Sequence, residues 1–94
     1  MITFTIKNNK NLVGRKAVEL VQSFTPLKSA VYVSKNDRKV NAKSILGLLS
    51  ANLEEGDILY FDIMEDSEAI ELNSILNKFF KEEDWFKCQI IVLL

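Results

Sequence analysis

The chain of 94 residues contains no histidine, and this absence excludes several kinds of chemistry. Histidine is the commonest general base near neutral pH and the commonest metal ligand in proteins. Without it, no mechanism can use an imidazole base or store a phosphoryl group on an imidazole ring. No nucleophile, base and orienting group occur together in a motif either. We therefore expect a protein that is not an enzyme and that holds no metal or other cofactor.

Cysteine is also scarce, because Cys88 is the only one in the chain. An internal disulfide and a cysteine-rich metal site are both excluded. No stretch approaches the roughly 20 consecutive apolar residues that a membrane-spanning helix needs. The N-terminus alternates like a β-strand and lacks the basic and apolar segments of a secretory signal. These observations predict a cytoplasmic protein with no membrane association.

The composition that remains suits one small domain, since 48% of the residues are hydrophobic and this length supports a single core. The charges are divided unevenly along the chain. Residues 1–47 carry nine lysines and arginines against two acids, whereas residues 48–94 carry three lysines against eleven acids. The lysines of the basic half are scattered singly instead of clustering between aromatic residues. We therefore expect no direct binding of nucleic acid.

The hydrophobic periodicity predicts the order β-α-β-β-α-β-α, followed by an apolar tail. Alternation indicates strands, and spacing of three to four residues indicates helices that face a core. The predicted elements are a strand near residues 2–6, a helix over 15–24, a hairpin of 30–33 and 39–42, a short helix from 45 to about 51, a strand over 58–64, a long helix up to 80, and an edge strand or buried tail over 88–94. This order predicts an α+β domain, with an antiparallel sheet covered on one face by two long helices and one short helix.

Several polar and aromatic side chains in the second half of the chain are predicted to have structural roles. Asp66 or Ser67 is predicted to cap the long helix, because both types accept hydrogen bonds from helix N-terminal N–H groups. Asp62 and Glu68, like the neighbouring acids, are predicted to be solvated at a strand end and a helix start, since the spacing of a hard-cation loop is missing. In the tail, Trp85 and Phe86 are predicted to pack against the domain and Cys88 to be an apolar strand residue.

Ser44 lies immediately before the short apolar helix and allows two interpretations. Its side-chain oxygen could cap the helix, which is worth about 1 kcal/mol. The same position would also favour a phosphate, because a helix N-terminus presents unpaired N–H groups and the positive end of the helix dipole. The two roles do not exclude each other, so Ser44 is a candidate for both.

Two motifs, together with the element order, resemble the HPr family, the histidine-containing phosphocarrier proteins of the sugar phosphotransferase system. The resemblance covers about residues 1–83. Lys43-Ser44-Ile45-x-Gly47-Leu48-Leu49, followed by Glu55-Gly56 and a strand, resembles the regulatory-serine region of HPr proteins. It implies an open-faced β-sandwich of the HPr type. It also implies that Ser44 is phosphorylated by an ATP-dependent HPr kinase, giving a corepressor for a catabolite-control transcription regulator.

The first family motif is altered at its central residue. HPr proteins carry Gly-Leu-His-Thr/Ser-Arg-Pro-Ala, and the chain reads Asn11-Leu12-Val13-Gly14-Arg15-Lys16-Ala17. By this resemblance Val13 occupies the position of the phosphate-accepting histidine. A valine side chain has no nucleophilic atom, so relay of phosphate from enzyme I is excluded. The pattern resembles that of Crh, an HPr-like protein that lacks the histidine, keeps the serine and acts in regulation.

The resemblance also assigns candidate roles around Ser44. Arg15, Lys16 and Lys43 are candidates to face a phosphate or a partner. The residues Ile45, Leu46, Leu48 and Leu49 cannot all be buried beneath one short helix. Ile45 and Leu46 are therefore predicted to point outward as a docking patch that Leu48 or Leu49 shares, with ordinary core packing as the alternative.

A second hypothesis treats the chain as a degenerate HPr fold that serves as a constitutive interaction or dimerisation module. It rests on residues 84–94, a C-terminal extension that typical HPr chains lack and that is predicted to add an edge strand to the domain of residues 1–83. In this hypothesis the extra strand forms the interface of a homodimer.

Overall fold

The computed structural model describes residues 1–80 and 89–92. Along the chain, the strands and helices are β1 (Ile2–Lys7), α1 (Arg15–Ser23), β2 (Val31–Lys35), β3 (Arg38–Asn41), α2 (Ile45–Ala51), β4 (Ile58–Ile63), a 3-10 turn (Asp66–Glu68), α3 (Ala69–Phe79) and β5 (Gln89–Val92). The order and type of the elements up to α3 agree with the periodicity of the sequence. In the described part of the chain, every helix is too short or too polar to cross a membrane.

The strands form one antiparallel sheet in the order β3-β2-β4-β1-β5. β1 and β4 lie at its centre and pair along their whole length, from Ile2 opposite Ile63 to Lys7 opposite Ile58. β5 adds to the edge next to β1, with Ile90 opposite Phe4. The strand predicted over residues 88–94 therefore corresponds in part to β5. Trp85, Phe86 and Cys88 lie outside the described residues, and the statements about them stay predictions.

The core lies between the sheet and the three helices because each strand alternates its side chains across the sheet. Phe4, Val33 and Phe61 point inward from β1, β2 and β4. They meet one buried stripe from each helix, formed by Ala17 and Leu20 on α1, Leu48 and Ala51 on α2, and Ala69, Leu72 and Leu76 on α3. The open-faced α+β sandwich is thereby confirmed, with the three described helices on one face.

The predicted cap of the long helix is wrong. The chain passes through a 3-10 turn at Asp66–Glu68 before α3 begins at Ala69, and the residue at the N-cap of α3 is Glu68. None of the cap residues there accepts a side-chain hydrogen bond from the helix. Asp66 instead lies 3.3 Å from the N-terminal ammonium of Met1, in an exposed ion pair. The acids of this turn therefore bind groups outside the helix.

Asp62 on the open face of the sheet is buried, which corrects the prediction of a solvated strand end. Its carboxylate accepts a hydrogen bond from the Thr3 hydroxyl at 2.7 Å. The Lys39 ammonium lies 2.9 Å from its other oxygen. Only 7% of the residue is exposed, so the two partners compensate the desolvation of the charge. The network joins β1, β4 and β3 across the face opposite the three described helices.

Candidate functional site

Ser44 is the N-cap of α2, with an extended backbone at φ −114° and ψ 122°. Its Oγ accepts a hydrogen bond from the backbone N–H of Gly47 at 3.0 Å. The Ser44 carbonyl accepts the N–H of Leu48 at 3.0 Å, as expected for the first intrahelical bond. The residue is partly exposed. The capping interpretation of Ser44 is therefore correct, and the residue is not sealed within the core.

Asn41 and Gly47 hold the turn on which Ser44 sits, and sequence reasoning assigned neither residue this role. Asn41 Oδ1 accepts the N–H of Lys43 at 2.8 Å, and its carbonyl accepts the N–H of Ser44 at 3.1 Å. A Cβ added to Gly47 would lie 3.0 Å from the Asn41 carbonyl oxygen and 3.4 Å from Ser44 Oγ. The small residue three positions after the cap thus lets the helix start lie against the end of β3.

The apolar residues of α2 divide into a buried and an exposed group. Leu48 is fully buried, whereas Leu46 is 79% exposed, Leu49 43% and Ile45 39%. Of the two residues that the sequence left open, Leu49 therefore lies at the surface and Leu48 belongs to the core. Ile45, Leu46 and Leu49 form an exposed apolar patch on α2.

Val13 and Gly14 form the turn that starts α1. Val13 is exposed, and its carbonyl accepts the N–H of Lys16 at 3.1 Å. Gly14 is the N-cap at φ 53° and ψ −127°, a conformation open to glycine and strained for other residues. Just before this turn, the N–H of Leu12 donates to the carbonyl of Leu53 at 3.0 Å. This bond places the turn beside the C-terminal end of α2.

The three candidate basic residues have different surroundings. Arg15 and Lys16 are exposed in the first turn of α1, where Lys16 lies 3.6 Å from Glu19 in a surface ion pair. The Lys43 ammonium instead donates to the carbonyl of Leu27 at 2.5 Å. In this arrangement Lys43 is bound to the loop between α1 and β2.

Glu68 lies at the start of α3 and remains accessible to solvent, as predicted, and its carboxylate also binds the same loop. Its two carboxylate oxygens accept the N–H groups of Lys28 and Ser29, each at 2.9 Å. The bond from the Lys28 N–H has the largest effect on the pKa of Glu68, and the bond from the Ser29 N–H the next largest. Together they hold that pKa below its usual range. Sequence reasoning could not find this contact, because it joins residues 40 positions apart.

A second carboxylate with a lowered pKa is Asp57, which joins the loop after α2 to β2. The Lys35 ammonium, 2.8 Å from Asp57 Oδ2, is the main cause of the lowered pKa. The N–H of Glu54, 2.7 Å from the same oxygen, adds to it. Stability that comes from a lowered pKa is present above the ordinary value of about 4 and is lost as the pH falls through the lowered value.

Asp57→Asn is therefore expected to flatten the acid side of the stability profile. At pH 7 the variant should lose about 0.2–1 kcal/mol, the usual range for an ion pair near the surface, and the difference from the wild type should shrink as the pH falls toward about 3. Urea denaturation across this pH range measures the effect. Glu55→Gln, at an exposed neighbouring carboxylate, is the control. An equal loss at both pH values would contradict the assignment.

Comparison with known proteins identifies the family. The model of the PTS HPr component phosphorylation site matches residues 1–82. The chain belongs to the HPr family. Its four strands β1–β4 and three helices are those of HPr structures, and its relatives are phosphocarrier proteins.

Relatives of two kinds are similar to the chain. The phosphocarrier protein HPr of Neisseria meningitidis is 34% identical over 80 residues, covering 82% of this chain and 90% of the relative. The HPr-like protein Crh of Halalkalibacterium halodurans is 32% identical over 78 residues, covering 83% of this chain and 92% of the relative. The crystal structure of Crh from Bacillus subtilis, a dimer with a swapping domain, matches with a TM-score of 0.65 at 28% identity, covering 79% of this chain and 85% of that one.

Proposed function

We propose that this HPr-like chain is a cytoplasmic, non-enzymatic regulator of carbohydrate metabolism that is phosphorylated on Ser44 by HPr kinase. The phosphorylated form would act as a Crh-like corepressor through a catabolite-control transcription regulator. The observation that carries the proposal is the lack of any histidine in a chain of a phosphocarrier family. With Val13 at the carrier position, phosphohistidine cannot form, and Ser44 is the remaining family phosphorylation site.

The geometry at Ser44 provides a hydrogen-bond donor for a phosphoryl group on its side chain. In the transfer, Ser44 Oγ forms a bond to the γ-phosphorus of ATP as the bond to the ADP oxygen breaks, and the hydroxyl proton is released. The phosphate oxygens would then accept the N–H of Gly47, which already bonds Ser44 Oγ. Charge-assisted bonds of this kind are stronger than the neutral bond they replace.

The surface around Ser44 suits a protein partner. The exposed patch of Ile45, Leu46 and Leu49 follows Ser44 directly on α2. Arg15 and Lys16 are exposed on α1, which contacts α2. An exposed apolar patch fits a partner that offers an apolar ridge, and exposed cations on the neighbouring helix favour a partner with acidic groups. The proposal includes neither nucleic acid nor membrane as a direct ligand.

Phosphorylation of Ser44 is tested with purified HPr kinase and ATP, by mass spectrometry of the intact protein. The wild type should gain one phosphoryl group, and Ser44→Ala should gain none. Ser50→Ala is a matched control, because it removes the other hydroxyl at α2 and should leave the gain unchanged. If the wild type gains nothing under conditions in which a genuine HPr is modified, the proposal is wrong.

A constitutive dimerisation module is the second candidate function. It is favoured by β5, an uncharged strand at the edge of the sheet beside β1, and by the dimer of the similar Crh from Bacillus subtilis. An uncharged edge strand offers unpaired backbone groups to a second chain. The opposite edge, β3, carries Arg38 and Lys39, whose like charges disfavour pairing between copies.

Light scattering of the full chain and of a chain truncated after Glu83 tests this candidate. A dimer that becomes a monomer on truncation would support it. A full chain that is already monomeric at high concentration would exclude it.

A further inference from the structure

The loop that joins α1 to β2, residues 27–30, is held by two opposite charges. The Lys43 ammonium donates to the carbonyl oxygens of Leu27 at 2.5 Å and Ser29 at 3.3 Å. The Glu68 carboxylate accepts the N–H groups of Lys28 and Ser29, each at 2.9 Å. A cation and an anion from distant parts of the chain therefore fix consecutive peptide groups of one loop.

The cation of this arrangement is the residue directly before Ser44. The backbone of Lys43 is fixed, because its N–H donates to Asn41 Oδ1 at 2.8 Å. Its side chain is a long stem with rotatable donors and can exchange one set of acceptors for another. The two carbonyls that it binds are neutral, whereas a phosphoryl group or carboxylate on Ser44 would be a charged acceptor. The ammonium already makes charge-assisted bonds to these carbonyls, and an anionic acceptor adds direct attraction between opposite charges.

We propose that a negative charge on Ser44 draws the Lys43 ammonium away from the carbonyls of Leu27 and Ser29. Of the two charges, Glu68 alone then holds the loop of residues 27–30, and the Lys28 and Ser29 N–H groups separate from the Glu68 carboxylate more often. The loop's exposed residues, Lys28 and Ala30, thereby become a second surface that differs between the two states of Ser44. The biological use of this response rests on the proposed phosphorylation, but the response itself requires only the charge.

Amide hydrogen exchange measured by NMR tests the proposal on two matched variants, Ser44→Asp and Ser44→Asn. Aspartate and asparagine have similar size and are both good N-caps, so the pair differs mainly in charge. The Lys28 and Ser29 amides should exchange about ten-fold faster in Ser44→Asp than in Ser44→Asn. The amides of Phe4 and Phe61, in the central strands, should exchange equally in both and report an intact fold.

The same pair in a Lys43→Gln background shows whether Lys43 transmits the effect. Without the ammonium, the Asp and Asn variants should show equal exchange at Lys28 and Ser29. The proposal would be overturned if the Asp and Asn variants exchanged equally while Lys43 is present. It would also be overturned if their difference persisted in Lys43→Gln. No kinase is used, so failure here leaves phosphorylation of Ser44 standing, and a negative kinase assay leaves this charge response standing.

Discussion

Leu48→Ala is expected to lower the free energy of unfolding by about 2–5 kcal/mol, the usual loss for a buried leucine whose cavity cannot fully collapse. Leu48 is fully buried in the core and lies in the turn of α2 that follows Ser44. The loss should also weaken the attachment of α2 to the sheet. Urea denaturation of the wild type and the variant measures it.

Leu46→Ala is the matched control, because Leu46 lies on the same helix and is 79% exposed. Its free energy of unfolding should change by only about 0.5 kcal/mol or less. If the proposed function holds, binding of the Ser44-phosphorylated form to a catabolite-control regulator should instead weaken by about five-fold or more, the effect expected of an interface anchor. Calorimetry with the purified regulator measures the binding. A Leu46→Ala variant that is destabilised as much as Leu48→Ala would contradict the assignment of the patch.

Phe61→Ala is expected to lower the free energy of unfolding by about 3–5 kcal/mol. Phe61 lies on the central strand β4, and its ring centroid is 6.0 Å from that of Phe24 and 5.9 Å from that of Phe80. Removal of the ring therefore takes a contact from both α1 and the end of α3. Since small domains are stable by about 5–15 kcal/mol, this loss should remove a large part of the total stability.

Tyr60→Ala provides the comparison for Phe61→Ala. Tyr60 is the preceding residue of β4, and 40% of it is exposed on the open face of the sheet. Its substitution should reduce the free energy of unfolding by about 1 kcal/mol or less. Thermal denaturation of both variants distinguishes the two faces. Losses of equal size would contradict the assignment of Phe61 to the covered face of the sheet and of Tyr60 to the open face.

The sequence predicted the elements because their periodicities are clear. Ile2, Phe4 and Ile6 alternate, and Leu72 and Leu76 lie one turn apart, so the inward faces of β1 and α3 followed directly. The short helix α2 was harder, since Leu48 and Leu49 are adjacent and both fit a stripe of one turn. Only the position of the helix against β3 decides which of the two is buried.

The acids were assigned less well because their environment depends on contacts between distant segments. Asp62 is buried through Thr3 and Lys39, which lie on the neighbouring strand β1 and on the edge strand β3. Glu68 binds the backbone of a loop and leaves the helix end without a side-chain cap. A sequence pattern places both acids at element ends, where solvation is usual, and contains no information on these partners.

The candidate site was also predicted from the sequence only in part. The position of Ser44 before α2 was evident from the sequence, because a hydroxyl preceded an apolar helical run. The contributions of Asn41 and Gly47 were not, since they depend on how closely α2 approaches the end of β3. The attachment of Lys43 to the loop of residues 27–30 was hidden for the same reason.

The central claim is that the chain has lost the carrier chemistry of its family and keeps the regulatory serine. It is tested most directly by exposing the protein in parallel to phosphorylated enzyme I and to HPr kinase with ATP, followed by intact mass and site mapping. The account predicts no phosphoryl group from enzyme I and one from the kinase, located on Ser44. A phosphoryl group accepted from enzyme I, or a kinase product modified at any residue other than Ser44, would contradict it.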